Sequence, residues 1–450
     1  MYCQPIDGRR ILNWKKWIVV TTVSAIAAPT WAFSVEQAVA TTIATDPELK
    51  SAFNDFMSSR EDIESAQGGY LPAVDLSAGF GYEYVNNSTT EASGEKSFNR
   101  KDATLSLTQL IWDGTTGNNI ERSEFEAEAQ RFQLLSDAQD KTLRVTEVYV
   151  AVLKAAQLLS LSEANVEVHE KILGDIKRRA ESGIGSTADL SQVEARVARA
   201  FTNMLAARSN LEDAESEFYR VVGAEPVNPT DPEVDELSLP TTRDAALERA
   251  IELNPVIKLA TYDIDAARAQ YRLNKGNFYP TLSFEASQNW SDDAGGVEEQ
   301  VDEFSAMLRL RVNLYNGGSD TADVRRSAYQ LNKSKDIFDN AYRLLEESTR
   351  LSWSAYQLTE QQKIYLAEHV DAASETVIAY EKQFRIGRRT LLDLLNTENE
   401  LFEARRSYLD AHYANITAKY RVLNSTGSLL DALRVDVPQE WLEPVINGEG

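Results

Sequence analysis

The sequence contains one cysteine, Cys3, in 450 residues. Cys3 precedes an apolar run typical of a secretory leader, so the processed chain would contain no cysteine. This excludes disulfides and thiolate metal sites. The three histidines, His169, His369 and His412, are scattered and lack the spacing of metal ligands. We therefore expect neither a metal nor another cofactor.

Basic residues are also scarce. The sequence has 46 lysines and arginines against 70 aspartates and glutamates, a formal net charge of −24. This balance excludes a basic nucleic-acid surface. The sequence shows no phosphate-binding loop, no nucleophile elbow and no convincing pair of catalytic acids, so we do not expect an enzyme.

The N-terminus has the pattern of a signal peptide. Four basic residues, Arg9, Arg10, Lys15 and Lys16, precede an apolar run over 17–32, which predicts a signal peptide 1–32 cleaved after Ala32. A retained membrane anchor is less favoured, because the run is short and contains Pro29. Cleavage would leave 42 basic and 69 acidic residues, a net charge of −27. No later segment approaches 18 consecutive apolar residues, so no membrane-spanning helix is expected.

Glycine and proline are absent from two long stretches. Residues 319–386 and 388–426 contain neither, and residues 118–182 contain only Gly174. Such stretches predict continuous helices. A helix of about 65 residues is roughly 100 Å long. This length is typical of a coiled coil or of the wall of a tube, and not of a compact core.

The sequence repeats itself. Pro47 aligns with Pro255 and Pro72 with Pro280 at an offset of 208, Gly114 aligns with Gly317, and the segment 183–190 aligns with 387–394. The order of these landmarks predicts an internal duplication. We expect a first repeat 33–222, with a β-hairpin at about 73–112 and a helical hairpin 116–222. A Pro-rich linker 223–242 follows. A second repeat 243–426 has a β-hairpin at about 281–315 and a helical hairpin 319–426, and a tail 427–450 ends the chain.

Four segments alternate apolar and polar residues and predict β-strands at 73–85, 103–112, 281–290 and 304–315. Each has about the length of a transmembrane strand. Aromatic residues near the strand ends suggest an interfacial girdle: Tyr82, Tyr84, Trp112, Trp290 and Tyr315. A water-soluble sandwich is the alternative, but four strands would leave open edges. We therefore expect lipid to cover the apolar face, and several copies of the chain to share one barrel.

This plan resembles the TolC family of outer-membrane efflux and secretion channels. The resemblance spans nearly the whole processed chain. It rests on the duplication, on "TDPEL", "YLP" and "FYP", on "LTQLIWDG" and "VNLYNGG", and on "GRRTLLDLLNTENEL". It implies a homotrimer in the bacterial outer membrane, with a 12-stranded β-barrel in lipid and a long α-helical tunnel in the periplasm. The resemblance further implies a periplasmic adaptor and an inner-membrane transporter as partners, and it is nearest to the type I secretion branch.

The two helix-to-helix turns are the candidate functional sites. Gly183, Gly185 and Gly387 are expected to end helices, and Ser186-x-x-Asp189 and Thr390-x-x-Asp393 are similar to capping boxes. The resemblance implies a further role, in which these turns form the closed periplasmic tip. In that role Asp189 and Arg389 tie neighbouring helices together, and Asp393 rings the entrance. Two positions depart from the family pattern: Asn396 replaces a second ring aspartate, and Phe384 replaces a tyrosine of the tip network. Capping and gating are compatible roles for one carboxylate.

Three alternatives to a type I secretion channel remain open at this point. The first is the outer-membrane component of a multidrug efflux pump, which would use the same duct. The second is a periplasmic coiled-coil adaptor without a pore, although adaptors need one helical hairpin and this chain has two. The third is a passive scaffold, which would show no conductance.

Overall fold

The computed structural model of the chain describes residues 33–183 and 186–446. The predicted signal peptide and Gly185 lie outside the described residues. Within them, the order of elements repeats, and the predicted duplication is confirmed. The first repeat contains helices α1 Val35–Thr45 and α2 Pro47–Gln67, strand β1 Ala73–Tyr84, helix α3 Ser88–Ser93, strand β2 Ser97–Trp112, and helices α4 Thr116–Glu181 and α5 Thr187–Val222.

The second repeat follows the same plan without a counterpart of α3. It contains α6 Arg243–Leu253, α7 Pro255–Gly276, β3 Thr281–Asp292, β4 Gln300–Arg311, α8 Ser319–Arg385 and α9 Leu391–Ser425, after which come α10 Leu429–Ala432 and α11 Gln439–Leu442. The long helices confirm the prediction made from the missing glycine and proline. We call α4 with α5 the first hairpin, and α8 with α9 the second hairpin.

The aligned prolines begin equivalent helices. Pro47 is the first residue of α2, where the Asp46 carboxylate accepts hydrogen bonds from the amides of Glu48 and Leu49. Pro255 is the first residue of α7, where the Asn254 side chain accepts from the Val256 amide. Proline suits this position, because the first helical N–H has no intrahelical partner.

The strands form one antiparallel sheet in the order β1-β2-β3-β4. β2 begins at Ser97, earlier than the predicted 103. β4 covers Gln300–Arg311 and not 304–315, so the predicted strand end at 315 is wrong for the single chain. The register explains this end: Arg311 lies opposite Thr281, the first residue of β3, and beyond it no β3 residue remains to pair with. Leu314 and Tyr315 are 92% and 82% exposed.

The main core lies where the short helices pack around α4. Its large, fully buried side chains include Phe56, Tyr149, Phe218, Tyr413 and Tyr420. The Tyr149 hydroxyl accepts from the Thr230 amide and lies 2.7 Å from the carbonyl oxygen of Phe33. This contact holds the first described residue and the Pro-rich linker against α4.

The segment after α9 belongs to this core and is not a free tail over its described length. Trp441 is buried and stacks on Phe53 with ring centroids 6.4 Å apart. The carboxylate of Glu128, itself buried, accepts from the Val445 amide at 2.7 Å and from Arg131 Nε at 2.7 Å. Both oxygens of the Glu128 carboxylate are therefore hydrogen-bonded, as a buried charge requires.

The long helices lie side by side, with α4 in the middle of the set. α4 packs on α2, α5, α7 and α9, and α8 packs on α7 and α9. Within the described chain, α8 therefore stands at one edge, and α2 and α5 stand at the other. α4 contains an 18-residue window apolar enough for a membrane span, with a mean hydropathy of 1.3, but half of that window is buried in the protein.

Candidate functional sites: the helical tip and the sheet face

Both hairpin turns use glycine as predicted. Gly183 has φ of 76° and Gly387 has φ of 75°. In this left-handed region a Cβ would clash with the backbone, so glycine is the residue that ends both helices at low cost. The Gly387 amide donates to the Phe384 carbonyl, and the Arg388 amide donates to the Gln383 carbonyl.

The helix start in the second hairpin is a complete capping box. The Asp393 amide donates to Thr390 Oγ1 at 3.2 Å, and the Asp393 carboxylate accepts from the Thr390 amide at 3.2 Å and from its hydroxyl at 2.9 Å. These bonds lower the pKa of the Asp393 carboxyl, and the charge of Arg389 lowers it further. The predicted cap is therefore confirmed at Thr390.

The helix start in the first hairpin differs from the prediction. Ser186 Oγ accepts from the Ala188 amide at 3.1 Å, one residue earlier than in a capping box. The Asp189 carboxylate makes no hydrogen bond or ion pair with any residue that the structure describes. The predicted Ser186–Asp189 capping box is wrong, because the serine side chain turns to the second helical amide. The Asp189 side chain is half-buried.

Arg389 lies against its own hairpin in the single chain. Its guanidinium is 4.2 Å from the centre of the Tyr380 ring, and its Nε donates to Gln383 Oε1 at 3.1 Å. Tyr380 and Gln383 were missed by sequence reasoning, and the only signal would have been their place on the last turns of α8. The expected bond between Arg389 and Asp189 of a neighbouring copy stays a prediction.

The two hairpins of one chain are joined by a small apolar cluster, which we call the tip cluster. It consists of buried residues of α4, α5 and α9: Ile176, Val193, Val197, Leu391 and Leu395. Phe384 of α8 packs on its margin, with the Arg179 guanidinium 4.8 Å from the ring centre. Asn396 Oδ1 accepts from Arg196 at 3.3 Å. Phe384 and Asn396 therefore contact the other hairpin. Nothing in the sequence indicated Arg179 or Arg196, because their partners Phe384 and Asn396 lie about 200 residues away along the chain.

The second candidate site is the sheet, whose two faces differ in chemistry. The register places these apolar side chains on one face: Val74, Leu76, Ala78, Phe80, Tyr82, Tyr84, Ala103, Leu105, Leu107, Leu282, Phe284, Ala286, Trp290, Phe304, Ala306, Leu308 and Leu310. Leu76 is 71% exposed, and Phe80 is 79% exposed. Gln109 and Gln288 also lie on this face, which is otherwise apolar over most of its height. Such an apolar face is typical of a surface that meets lipid or another protein.

The opposite face is polar and hydrogen-bonded. Arg309 Nε lies 2.7 Å from the Glu285 carboxylate, and the hydroxyls of Ser287 and Ser305 are 2.8 Å apart. Arg309, which by itself would favour anions, is thus paired with an acid of the next strand. This face suits water, as the wall of a lumen would.

The aromatic residues predicted as a girdle lie at both ends of the sheet. Tyr82 and Tyr84 end β1, and Trp290 lies near the end of β3. Trp112 lies at the opposite end, where a bulge between Leu110 and Trp112 turns its side chain to the apolar face. Tyr315 follows β4 without being part of it. Their role as a girdle stays a prediction.

Comparison with known proteins gives the family. The family model described as "Outer membrane efflux protein" matches residues 39–224 and 246–428, one segment in each repeat. Among curated proteins, the chain is 27% identical to the outer membrane efflux protein BepC of Brucella suis, over 74% of each chain. It is 24% identical to the outer membrane protein TolC of Escherichia coli, over 86% of this chain and 80% of TolC. It is 25% identical to the alkaline protease secretion protein AprF of Pseudomonas aeruginosa, over 86% and 83%.

Solved structures agree on the fold. The channel protein CusC superposes with a TM-score of 0.78 at 13% identity, over 88% of this chain and 92% of CusC. The chain therefore belongs to the outer membrane efflux protein family, which includes TolC, and is an exit channel of the bacterial outer membrane with a β-barrel part and a long helical part.

Proposed function

We propose that three copies of the chain close one channel, which exports protein by type I secretion together with a periplasmic adaptor and an inner-membrane transporter. The observation that carries the copy number is the four-stranded sheet. Its edge strands β1 and β4 each have one neighbour among the described residues, and its apolar face is exposed. Lipid does not tolerate unpaired backbone N–H and C=O groups, so these edges must be paired in the membrane.

The number of strands favours three copies over two. Four strands cannot enclose a lumen. Eight strands leave an interior that side chains fill, whereas larger barrels enclose water. Twelve strands, from three copies, are the smallest symmetric solution with an open duct. Pairing β4 of one copy with β1 of the next leaves no edge.

The helices support the same assembly. Along the edge helix α8, exposed apolar residues recur every seventh position: Ile337, Leu344, Leu351, Leu358 and Tyr365, which are 49–71% exposed. A seven-residue apolar spacing is the pattern of a helix that packs on another helix along its length. Within the chain α7 and α9 pack on α8 but leave this stripe open, so a neighbouring copy is its natural partner.

The type of cargo rests on the relatives. The name of AprF describes secretion of an alkaline protease, and that of BepC describes efflux. We favour protein secretion because the sequence pattern resembles the type I secretion branch of the family. Efflux is the second candidate. Both uses need the same duct, so the transporter that docks at the tip decides between them.

Two experiments test these proposals separately. Native mass measurement of the detergent-extracted protein should give three copies, and a conducting monomer would refute the assembly. A strain that lacks its own channel, but carries a type I transporter and adaptor, should regain secretion of the transported protein when it expresses this chain. Restored drug resistance without restored secretion would instead support the efflux function.

A further inference from the structure

The two β-hairpins end in loops on the side of the sheet opposite the long helices. Since the helices lie in the periplasm, these loops lie at the outer mouth of the channel. The loop of the first β-hairpin, residues 85–96, contains α3, and the loop of the second covers residues 293–299. We call residues 293–299 the outer loop. Its position relative to the two faces of the sheet decides whether it points away from the mouth or over it.

The outer loop lies over the polar face of the sheet. The Gly295 amide donates a hydrogen bond to Glu83 Oε2 at 2.9 Å. Glu83 belongs to β1 and lies between Tyr82 and Tyr84 of the apolar face, so its side chain projects from the polar face. In the sheet β2 separates β1 from β3. A loop that follows β3 therefore reaches Glu83 by crossing over β2 on the side that would face the lumen.

A buried aromatic side chain marks the crossing. Phe98 of β2 lies opposite Glu83 and therefore projects from the polar face, yet it is only 4% exposed. Two other apolar side chains of this face, Val301 and Met307 of β4, are 38% and 48% exposed. Phe98 is thus covered where the outer loop crosses β2, and the apolar side chains away from the crossing are not.

A glycine allows the outer loop to pack closely on the loop that contains α3. Gly296 is buried and has φ of 85°, and a Cβ there would lie 2.8 Å from Thr90 Cγ2 and 3.0 Å from Val85 Cγ1. Both neighbours are β-branched and therefore stiff at χ1. Thr90 is also held by the Asn87 amide, which donates to its Oγ1 at 2.9 Å. Gly295 has a similar φ of 68°, but a Cβ there would meet no described atom of the rest of the chain within 4 Å.

We propose that the outer loop is a lid, which narrows the outer mouth of the channel and sets the size of solute that enters from the medium. This inference rests on the shared barrel proposed above, because the polar face lines a lumen only when the copies close. In that assembly each copy would place one outer loop over the wall of the lumen, so the loops would project into the mouth from all sides. The lid lies at the opposite end of the duct from the helical tip and acts independently of it.

Like charges give the lid a means to lift. The Glu298 carboxyl meets Glu95 of the first β-hairpin loop, and the charges of Glu95 and Asp293 raise the pKa of Glu298. This repulsion opposes the packing of Gly296 on Thr90. The outer loop thus balances a small packed contact against charge repulsion, and cargo that arrives from the tip would displace it without breaking a strand.

Labelling of a single cysteine from outside the cell tests the lid. The reporter is Ser287→Cys on the polar face of β3, in a processed chain that would otherwise contain no cysteine. Two maleimides are compared on intact cells. A small membrane-impermeant maleimide shows that the reporter is reactive, and a maleimide on a long polyethylene glycol chain is too large for general porins. The large reagent should label the reporter much more slowly than the small one.

Gly296→Ala and Gly295→Ala are matched variants for this test. Both place a methyl group on a left-handed glycine, but only Gly296→Ala forces it against Thr90 and Val85. Combined with the reporter, Gly296→Ala should raise the rate of the large reagent about tenfold, because overpacking destabilises the closed loop and labelling follows the open population. Gly295→Ala should leave this rate close to that of the reporter alone. Equal rates of the large reagent in all three proteins would overturn the lid.

Phe98→Ala tests the lid without altering a glycine. Loss of the ring should loosen the outer loop from β2 and raise the rate of the large reagent, whereas Met307→Ala, on the exposed part of the same face, should not. Native mass measurement separates the two proposals, because failure of the reporter protein to form trimers would refute the shared barrel and the lid with it. If trimers form and the small reagent labels the reporter, but Phe98→Ala leaves the rate of the large reagent unchanged, the lid is wrong and the barrel stands.

Discussion

The tip cluster provides the sharpest test of the idea that the tip is a gate. Leu395 of α9 is fully buried between the first and second hairpins of one chain. Truncation of a buried leucine to alanine costs about 2–5 kcal/mol. The substitution should destabilise a closed tip by this full amount. It should not destabilise an open tip with separated hairpins, because there the Leu395 side chain makes no such contact. Leu395→Ala should therefore raise resting conductance in planar bilayers.

The same helix supplies a matched control. Leu401 is 7% exposed and packs with Ala373 and Val377 of α8, so its cluster lies within the second hairpin. Leu401→Ala should destabilise the hairpin without changing its separation from the first. A shift of about 2 kcal/mol already changes the closed–open ratio roughly thirtyfold, a difference that single-channel recordings resolve. Equal conductance of the two variants, with trimers intact, would refute the reasoning.

Other predictions concern His169 of α4, the close contact between Gly114 and Gly276, and Arg389 at the tip. Burial lowers the pKa of His169 in α4, so the unfolded chain binds protons more readily, and the stability of this part of α4 should fall as the pH drops below about 6.5; hydrogen exchange at pH 7.5 and 5.5 should show this, and His169→Gln should remove it. Gly276→Ala should impair folding of the chain itself, measured as protease resistance, because its Cβ would overlap the Gly114 carbonyl. Arg389→Ala should raise resting conductance less than Leu395→Ala, since an exposed ion pair between Arg389 and Asp189 of a neighbouring copy would be worth only about 0–1 kcal/mol; an unchanged conductance would assign Arg389 no part in the gate.

Much of the fold could be predicted because its signals are local. A strand alternates with period two, and the apolar face over 73–84 is legible without its partners. A helix persists until glycine or proline ends it, so α8 and α9 could be bounded to within a residue or two around Gly387. Pro47 and Pro255 marked equivalent helix starts for the same local reason.

The sequence-based prediction was wrong where a side chain can bond either of two nearby backbone amides. Ser186 and Asp189 have the residue types and spacing of a capping box, yet the serine side chain accepts from the Ala188 amide and not from the Asp189 amide. Residue types permit such a bond, but the backbone angles at the turn decide whether it forms. The contact between Arg196 and Asn396 has no local signal at all.

The sequence by itself determined the duplicated plan, the helix lengths and the two faces of every strand, since each depends on residues near one another in the chain. Only the tertiary structure decided that β2 pairs with β3, that Phe384 and Asn396 contact the first hairpin, and that the backbones of Gly114 and Gly276 approach closely. These contacts join residues about 160 to 200 positions apart. Their free energy depends on how closely two distant surfaces fit, and that fit exists only once the chain has folded.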